Sequence, residues 1–265
     1  MERRFYAIEI AYDGTRFRGF QRQPGLPTVQ DAVEAALASV GVRAPLAVAA
    51  RTDAGVHALG QVVSFAARVA LDPDALRRAL NAALPDGILA RAVHRVGRSF
   101  HARNSAVGRT YVYLVGAPPP EALAPYAWTL PDPRAFPGVA RATLDAEAVR
   151  AALGHAVGTH DFTGFARPGE QRGAVRTLLR AEVVSASWAP LHAIVLDGRG
   201  FLRAMVRNLV GTAVAAGLGV APAAVVRELL AARGRYRGVR APGWGLTLAA
   251  VHYPPGALDP EGRGG

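Results

Sequence analysis

Residues 60–96 read GQVVSFAARVALDPDALRRALNAALPDGILARAVHRV, and they set the fold class. Residues 60–68 alternate with β-branched and aromatic side chains, which reads as a strand. In 71–84 the apolar residues recur at helical spacing, with Asp72 as N-cap and Pro73 at the first helical position. Gly87 then reopens the chain into a second strand, 87–96. Strand, helix and strand with short joints form the core of an α+β unit.

Working outward, residues 5–14 (FYAIEIAYDG) place Tyr6, Ile8, Ile10 and Tyr12 on one face, the mark of a half-buried strand. An arginine- and aromatic-rich loop, RFRGFQRQPGLP (16–27), follows it. Residues 28–41 form a helix, with Thr28 as N-cap and Gly41 as stop. The first hundred residues therefore read strand–helix–strand–helix–strand. The second half repeats that style. A strand at 108–116 precedes a Pro-rich stretch, 117–143, expected to run irregularly across the surface. A helix capped by Asp145 comes next, then paired strands over 177–189 and 191–200. Helices are expected from Phe201 to Gly217 and over 222–234, and a last strand over 245–253. The boundaries that follow are an N-terminal half at 1–105, a C-terminal half at 106–253 and a disordered tail at 254–265.

The chain has 265 residues, 51% of them apolar, enough to bury a core. Its formal net charge is +11, and every basic residue is arginine. Arginine's planar fork suits phosphate and stacks on bases. A nucleic acid is the leading partner for such a charge, ahead of an anionic membrane surface. There are no cysteines, which excludes disulfides, thiolate catalysis and Cys-based zinc sites. The charged start MERRFYAIEI is no signal peptide. Residues 209–226 carry no charge, but Gly217, Gly219 and Pro222 break them into two buried helices rather than a membrane span. A cytoplasmic protein is expected.

The chemistry-bearing residues are few. The seven histidines show no metal-ligand spacing, and neither a P-loop nor GxGxxG nor GxSxG occurs. His160-Asp161 reads as a loop held by side-chain hydrogen bonds. In ARTDAGVHALGQ (50–61), Asp53 stands at an Asp-Ala-Gly turn between Arg51 and His57. A desolvated carboxylate there takes up a proton unless a cation keeps it ionised. Arg203 and Arg207 lie four apart on the flank of the helix stripe Leu202, Met205, Val206, Leu209 and Val210. They either snorkel to solvent or turn inward to meet an acid. Tyr111 and Tyr113 share a strand face, as core aromatics or as a platform for a base.

The stretches 12–25 (YDGTRFRGFQRQPG), 50–65 (ARTDAGVHALGQVVSF), 100–113 (FHARNSAVGRTYVY), 158–167 (GTHDFTGFAR), 201–211 (FLRAMVRNLVG) and 241–253 (APGWGLTLAAVHY) resemble the tRNA pseudouridine synthase A family, in order and over nearly the whole chain. Two departures are small: Ala50 stands where a glycine is common and Ser64 where a histidine is common. The resemblance implies a pseudouridine-synthase-like α+β fold. Two similar halves would form a mixed, mostly antiparallel sheet with helices packed on it and a basic central cleft.

It further implies an isomerase that converts uridine to pseudouridine in the tRNA anticodon stem-loop, at positions 38, 39 and 40, without cofactor or metal. Asp53 is then the catalytic aspartate, attacking sugar or ring or removing a proton. Arg207 pairs with it, and Tyr111 packs on the flipped uracil, with or without shuttling a proton. Arg51 holds the RNA backbone or helps open the stem, and Leu246 walls the pocket. Arg16, Arg18 and Gln21 join the substrate-binding set. His57 serves the site or merely satisfies the turn. A homodimer with tRNA across both subunits is implied as well. The rival readings are a non-catalytic RNA-binding protein and a hydrolase using Asp53 and His57.

Overall fold

The computed structural model describes residues 3–140, 143–166, 173–232 and 238–258. In chain order they form β1 (Arg4–Tyr12), α1 (Val29–Ser39), β2 (Ala47–Val48), β3 (His57–Ala67), α2 (Pro73–Ala83), β4 (Ile88–Val96), β5 (Gly108–Gly116), β6 (Trp128–Thr129), α3 (Ala146–Gly154), β7 (Gly158–Asp161), β8 (Val175–Ser185), β9 (Leu191–Gly198), α4 (Met205–Gly217), α5 (Val225–Ala232) and β10 (Leu246–His252). The chain divides into two compact units, residues 1–109 with 247–265, and residues 110–246. Each is an α+β unit with a largely antiparallel sheet.

The first unit has strand order β4-β1-β3-β10, with β2 on β3. β1 is central and pairs antiparallel with β3 (Ile8↔Val63) and β4 (Ile8↔Val93). One face of β1 buries Tyr6, Ile8 and Ile10 completely or nearly so. The opposite face puts Ala7 in a small cluster with Ala49, Val62, Val96 and Ala102, closed by Phe100, Tyr253 and Leu258. Helix α2 packs on β4. Its cap is the expected one: Asp72 accepts from the Ala75 N–H at 2.7 Å, satisfying an orphan donor of the first turn. Thr28 caps α1 in the same way.

The second unit has order β5-β9-β8-β7, with β6 parallel to β5. β8 and β9 form the expected antiparallel pair. α4 is its buried axis, and α3 packs against it. Two glycines let neighbours approach that axis. A β-carbon at Gly211 would stand 1.9 Å from the Val239 carbonyl oxygen, and one at Gly217 2.5 Å from Val149.

The structure departs from the sequence expectations at four places. Strand 245–253 was expected in the C-terminal half, but β10 pairs parallel with β3 (Thr247↔His57), so residues 247–252 belong to the first unit. The start of the tail, 254–258, forms a turn closed from the Ala257 N–H to the Pro254 carbonyl, and Leu258 joins the Ala7 cluster. Residues 259–265 lie outside the described residues. The Pro-rich stretch does not skim the surface. Trp128, Leu130 and Phe136 are at most 2% exposed, and Trp128 stacks on Phe136 at 5.6 Å and meets Tyr113 edge-on. Three large apolar groups anchor an otherwise irregular path; residues 141 and 142 lie outside the description.

Lastly, α4 begins at Met205 rather than Phe201. Ala204 takes a left-handed φ of 66°, and Phe201 turns away to pack against Tyr111. Arg203 therefore precedes the helix and does not share a helical flank with Arg207. Residues 233 and 234, the expected end of α5, lie outside the described residues. Among the described residues no helix is long and apolar enough to cross a membrane.

Candidate active site

Asp53 sits where the chain leaves β2 and turns back into β3. The turn runs from Asp53 to Val56 and closes through the Val56 N–H on the Asp53 carbonyl at 3.2 Å. Gly55 holds its third position at φ 77°, a conformation strained for any other residue type. Asp53 is half-buried, while Arg51 and Ala54 on either side are exposed.

Backbone from the 14–20 loop braces this turn at three points. The Phe20 N–H donates to the Thr52 carbonyl (3.1 Å), and the Gly55 N–H to the Phe17 carbonyl (3.4 Å). The Gly14 N–H donates to His57 Nδ1 (3.0 Å). Such approach needs glycine: a β-carbon on Gly14 would lie 2.2 Å from the Val56 carbonyl oxygen, and one on Gly19 2.9 Å from that of Thr52. His57 is buried at the turn's exit. Its Nδ1 also lies 3.2 Å from an Asp13 carboxylate oxygen that accepts from Thr15. Tyr12 and Gln61 close the floor of the turn. Burial pushes the Tyr12 phenol up to about 12, so it stays protonated at neutral pH.

Arg16, Arg18 and Gln21 lie on the same bracing loop and are exposed. The Arg18 backbone is fixed by Pro27 and by the Gln23 side chain, so the loop holds its shape while its arginine head stands in solvent. Arg22 differs from its neighbours: Asp31 and Glu34 of α1 engage it. The first unit therefore gathers Asp53, Arg51, His57, Arg16, Arg18 and Gln21 around one turn.

Tyr111, Arg207 and Leu246 belong to the second unit. Tyr111 and Tyr113 both face inward from β5, as the alternation predicts. Tyr111 makes an edge-on contact with Phe201 at 5.1 Å. The Tyr113 hydroxyl donates to the Pro242 carbonyl at 3.0 Å. Burial raises the Tyr113 phenol well above its usual value, and the charge of Arg207 acts against that rise. Arg207 is tied to the segment before β10. Its Nε donates to the Ala241 carbonyl (2.7 Å), and its own carbonyl accepts from the Ala241 N–H (3.1 Å). Leu246 is 5% exposed.

Of the other candidates, His160 and Asp161 lie in β7. Asp161 accepts from the Thr163 N–H and hydroxyl at 2.9 and 2.6 Å, the side-chain-held arrangement expected there. Among the described residues no group of three or more His, Asp or Glu stands ready for a metal. Sequence reasoning missed Tyr12, Gly14, Gly19 and Gln61 as site-shaping residues. Gln61 carried a signal, a lone amide inside the apolar run of β3.

A family profile described as tRNA pseudouridine synthase matches residues 8–104 and 152–254. The tRNA pseudouridine synthase A of Ralstonia nicotianae is 42% identical over 259 residues, covering 94% of this chain and 89% of the relative. Those of Streptococcus thermophilus and Thermosipho africanus are 37% and 38% identical, each covering 94% of this chain and 98% and 99% of the relative. With the profile spanning both halves and relatives matched nearly end to end, this chain belongs to the tRNA pseudouridine synthase A family.

Proposed function

We propose that this chain isomerises uridine to pseudouridine in the anticodon stem-loop of tRNA, at positions 38, 39 and 40, with Asp53 as the catalytic aspartate. One observation carries the reading from the structural side. A single half-buried carboxylate rides on a backbone turn pinned at three points, beside the exposed Arg16, Arg18 and Arg51. A carboxylate that merely held the turn would not need so rigid a seat.

The reaction needs no co-reactant. The bond from C1′ to N1 breaks and one from C1′ to C5 forms; C5 loses its hydrogen and N1 gains one. An ionised Asp53 serves by adding to C1′, by adding to the ring or by taking the C5 proton. A stacked or paired uridine hides its glycosidic bond, so the nucleotide is flipped out of the stem. Tyr111 receives the flipped uracil, Leu246 walls the pocket, and Arg207 keeps Asp53 ionised. Arg51, Arg16, Arg18 and Gln21 hold the RNA, mostly through phosphates, which read shape rather than sequence. His57, its Nδ1 accepting from Gly14, holds the turn. The enzyme acts in the cytoplasm as a homodimer with the tRNA lying across both subunits.

The test is incubation with unmodified tRNA, chemical mapping of pseudouridine and the Asp53→Asn variant in parallel. An Asx side chain that only held the turn would be replaced well by asparagine. The expected result is pseudouridine at 38–40 with the native chain and none with Asp53→Asn, whose tRNA binding persists. An active Asp53→Asn enzyme would sink the assignment, and release of free uracil would replace it with a hydrolase.

A further inference from the structure

The β2–β3 ladder ends three residues short of the turn: the Ala49 N–H donates to the Val62 carbonyl at 2.9 Å, and the chain then leaves the sheet. Gln61 takes over there. It is 0% exposed. Its Oε1 accepts from the Ala50 N–H at 3.2 Å, and its Nε2 donates to the Ala50 carbonyl at 2.7 Å. One side-chain amide thus replaces a strand partner for Ala50. The same oxygen accepts from the Val62 N–H at 3.2 Å.

The second proton on Nε2 reaches the Tyr12 hydroxyl at 3.3 Å, and that hydroxyl lies 2.8 Å from Thr52 Oγ1. The arrangement that uses every proton runs from Gln61 to Tyr12 and from Tyr12 to Thr52. Gln61, Tyr12 and Thr52 are all buried, so each bond acts in a medium where loss is expensive. Ala50 is held by the amide directly and Thr52 through the Tyr12 hydroxyl, and Asp53 is the next residue.

We propose that Gln61 is the positioning residue for Asp53, setting the height of the carboxylate through Ala50 and through the Tyr12–Thr52 hydroxyl pair. The proposal rests on Asp53 being the catalytic group. Gln61 touches no substrate; it fixes the frame in which Asp53 reacts. Misplacing a reacting group by about 1 Å costs about 10²-fold in rate.

The experiment measures kcat and KM for pseudouridine formation on unmodified tRNA, with folding checked by circular dichroism at the assay temperature. Gln61→Met fills the space without either hydrogen-bonding role. It is expected to lower kcat by about 10–100-fold and to leave KM within about twofold. Gln61→Glu adds a pH signature. Protonated, the acid keeps one donor for the Ala50 carbonyl and an accepting oxygen for the Ala50 N–H, losing only the donor to Tyr12; ionised, it repels the Ala50 carbonyl. Burial raises its pKa, so kcat of this variant should recover as pH falls, an ionisation the native profile lacks. Tyr12→Phe breaks the second branch alone and should cost kcat about 3–10-fold. Native kcat in Gln61→Met, beside an inactive Asp53→Asn, would show that Gln61 only completes the sheet. If Gln61→Met does not fold, native kcat in Tyr12→Phe overturns the proposal. Turnover by Asp53→Asn itself would remove the premise, whatever Gln61 does.

Discussion

The imidazole of His57 accepts its Nδ1 hydrogen bond from the backbone of Gly14, at 3.0 Å. Two loops 43 residues apart are joined at the point where the Asp53 turn enters β3. The junction tolerates no side chain on Gly14, since a β-carbon would overlap the Val56 carbonyl. Gly14→Ala should therefore cost about 1–3 kcal/mol of stability and most of the activity. Gly97→Ala is the control. Nothing lies within 4 Å of its added carbon, so it should stay within about 0.5 kcal/mol of native. Denaturant melts of both variants make the comparison.

Arg207→Ala should separate chemistry from folding. Losing the Nε bond to Ala241 costs about 1–3 kcal/mol. If Arg207 serves the reaction as proposed, its removal should cost about 10²–10³-fold in kcat beyond that. Arg207→Lys should recover only part, because one ammonium cannot reproduce the planar fork. Melting temperature and kcat on the same preparation decide it; native turnover in the alanine variant would remove Arg207 from the site.

Tyr111→Phe keeps the ring against Phe201 and removes only the hydroxyl. If the hydroxyl moves a proton, kcat should fall about 10²-fold while tRNA affinity holds. Equal kcat in the two enzymes would leave Tyr111 the stacking role alone.

Glu9 on β1 accepts from His94 Nε2 on β4 at 2.8 Å, and that bond holds its carboxyl below the usual value of 4.5, assisted by the charges of His94 and Arg91 against burial. A carboxyl lowered in the folded state stabilises above its unfolded pKa, and the gain is lost as pH falls through the folded value. The stability gap between native and Glu9→Gln should be full at pH of about 6 and close between about 5 and 3. A gap independent of pH would show that the pair contributes only packing.

Local rules made much of this fold readable. The caps at Thr28, Asp72 and Asp145 depend on atoms within three residues, and the structure keeps all three. The turn at Asp53 was readable for the same reason, from Asp-Ala-Gly. Contacts between distant residues were not. Phe201 continues the helical apolar period, yet its ring goes to Tyr111, 90 residues earlier, and the helix starts late. Trp128 and Phe136 sit in a proline-rich stretch that reads as surface, but each has an aromatic partner within the unit. β10 has an ordinary strand pattern that says nothing about which sheet it will join. At the site, the acid was legible; the amide and the glycines that seat it were not, because their partners lie 11 to 49 residues away.

The first unit is discontinuous along the chain: 137 residues separate Arg109 from Thr247, and only the last stretch supplies the strand that pairs with β3 beside His57. During synthesis the N-terminal portion emerges from the ribosome with that edge of its sheet unpaired. Whatever it ordered early, the start of the strand leading out of the Asp53 turn, already paired with β1 on one side, gains its β10 partner on the other only after those 137 residues have been made. A nascent chain thus stays unfinished beside the Asp53 turn until β10 has been made, and a product terminated before Thr247 carries the aspartate on an incomplete scaffold.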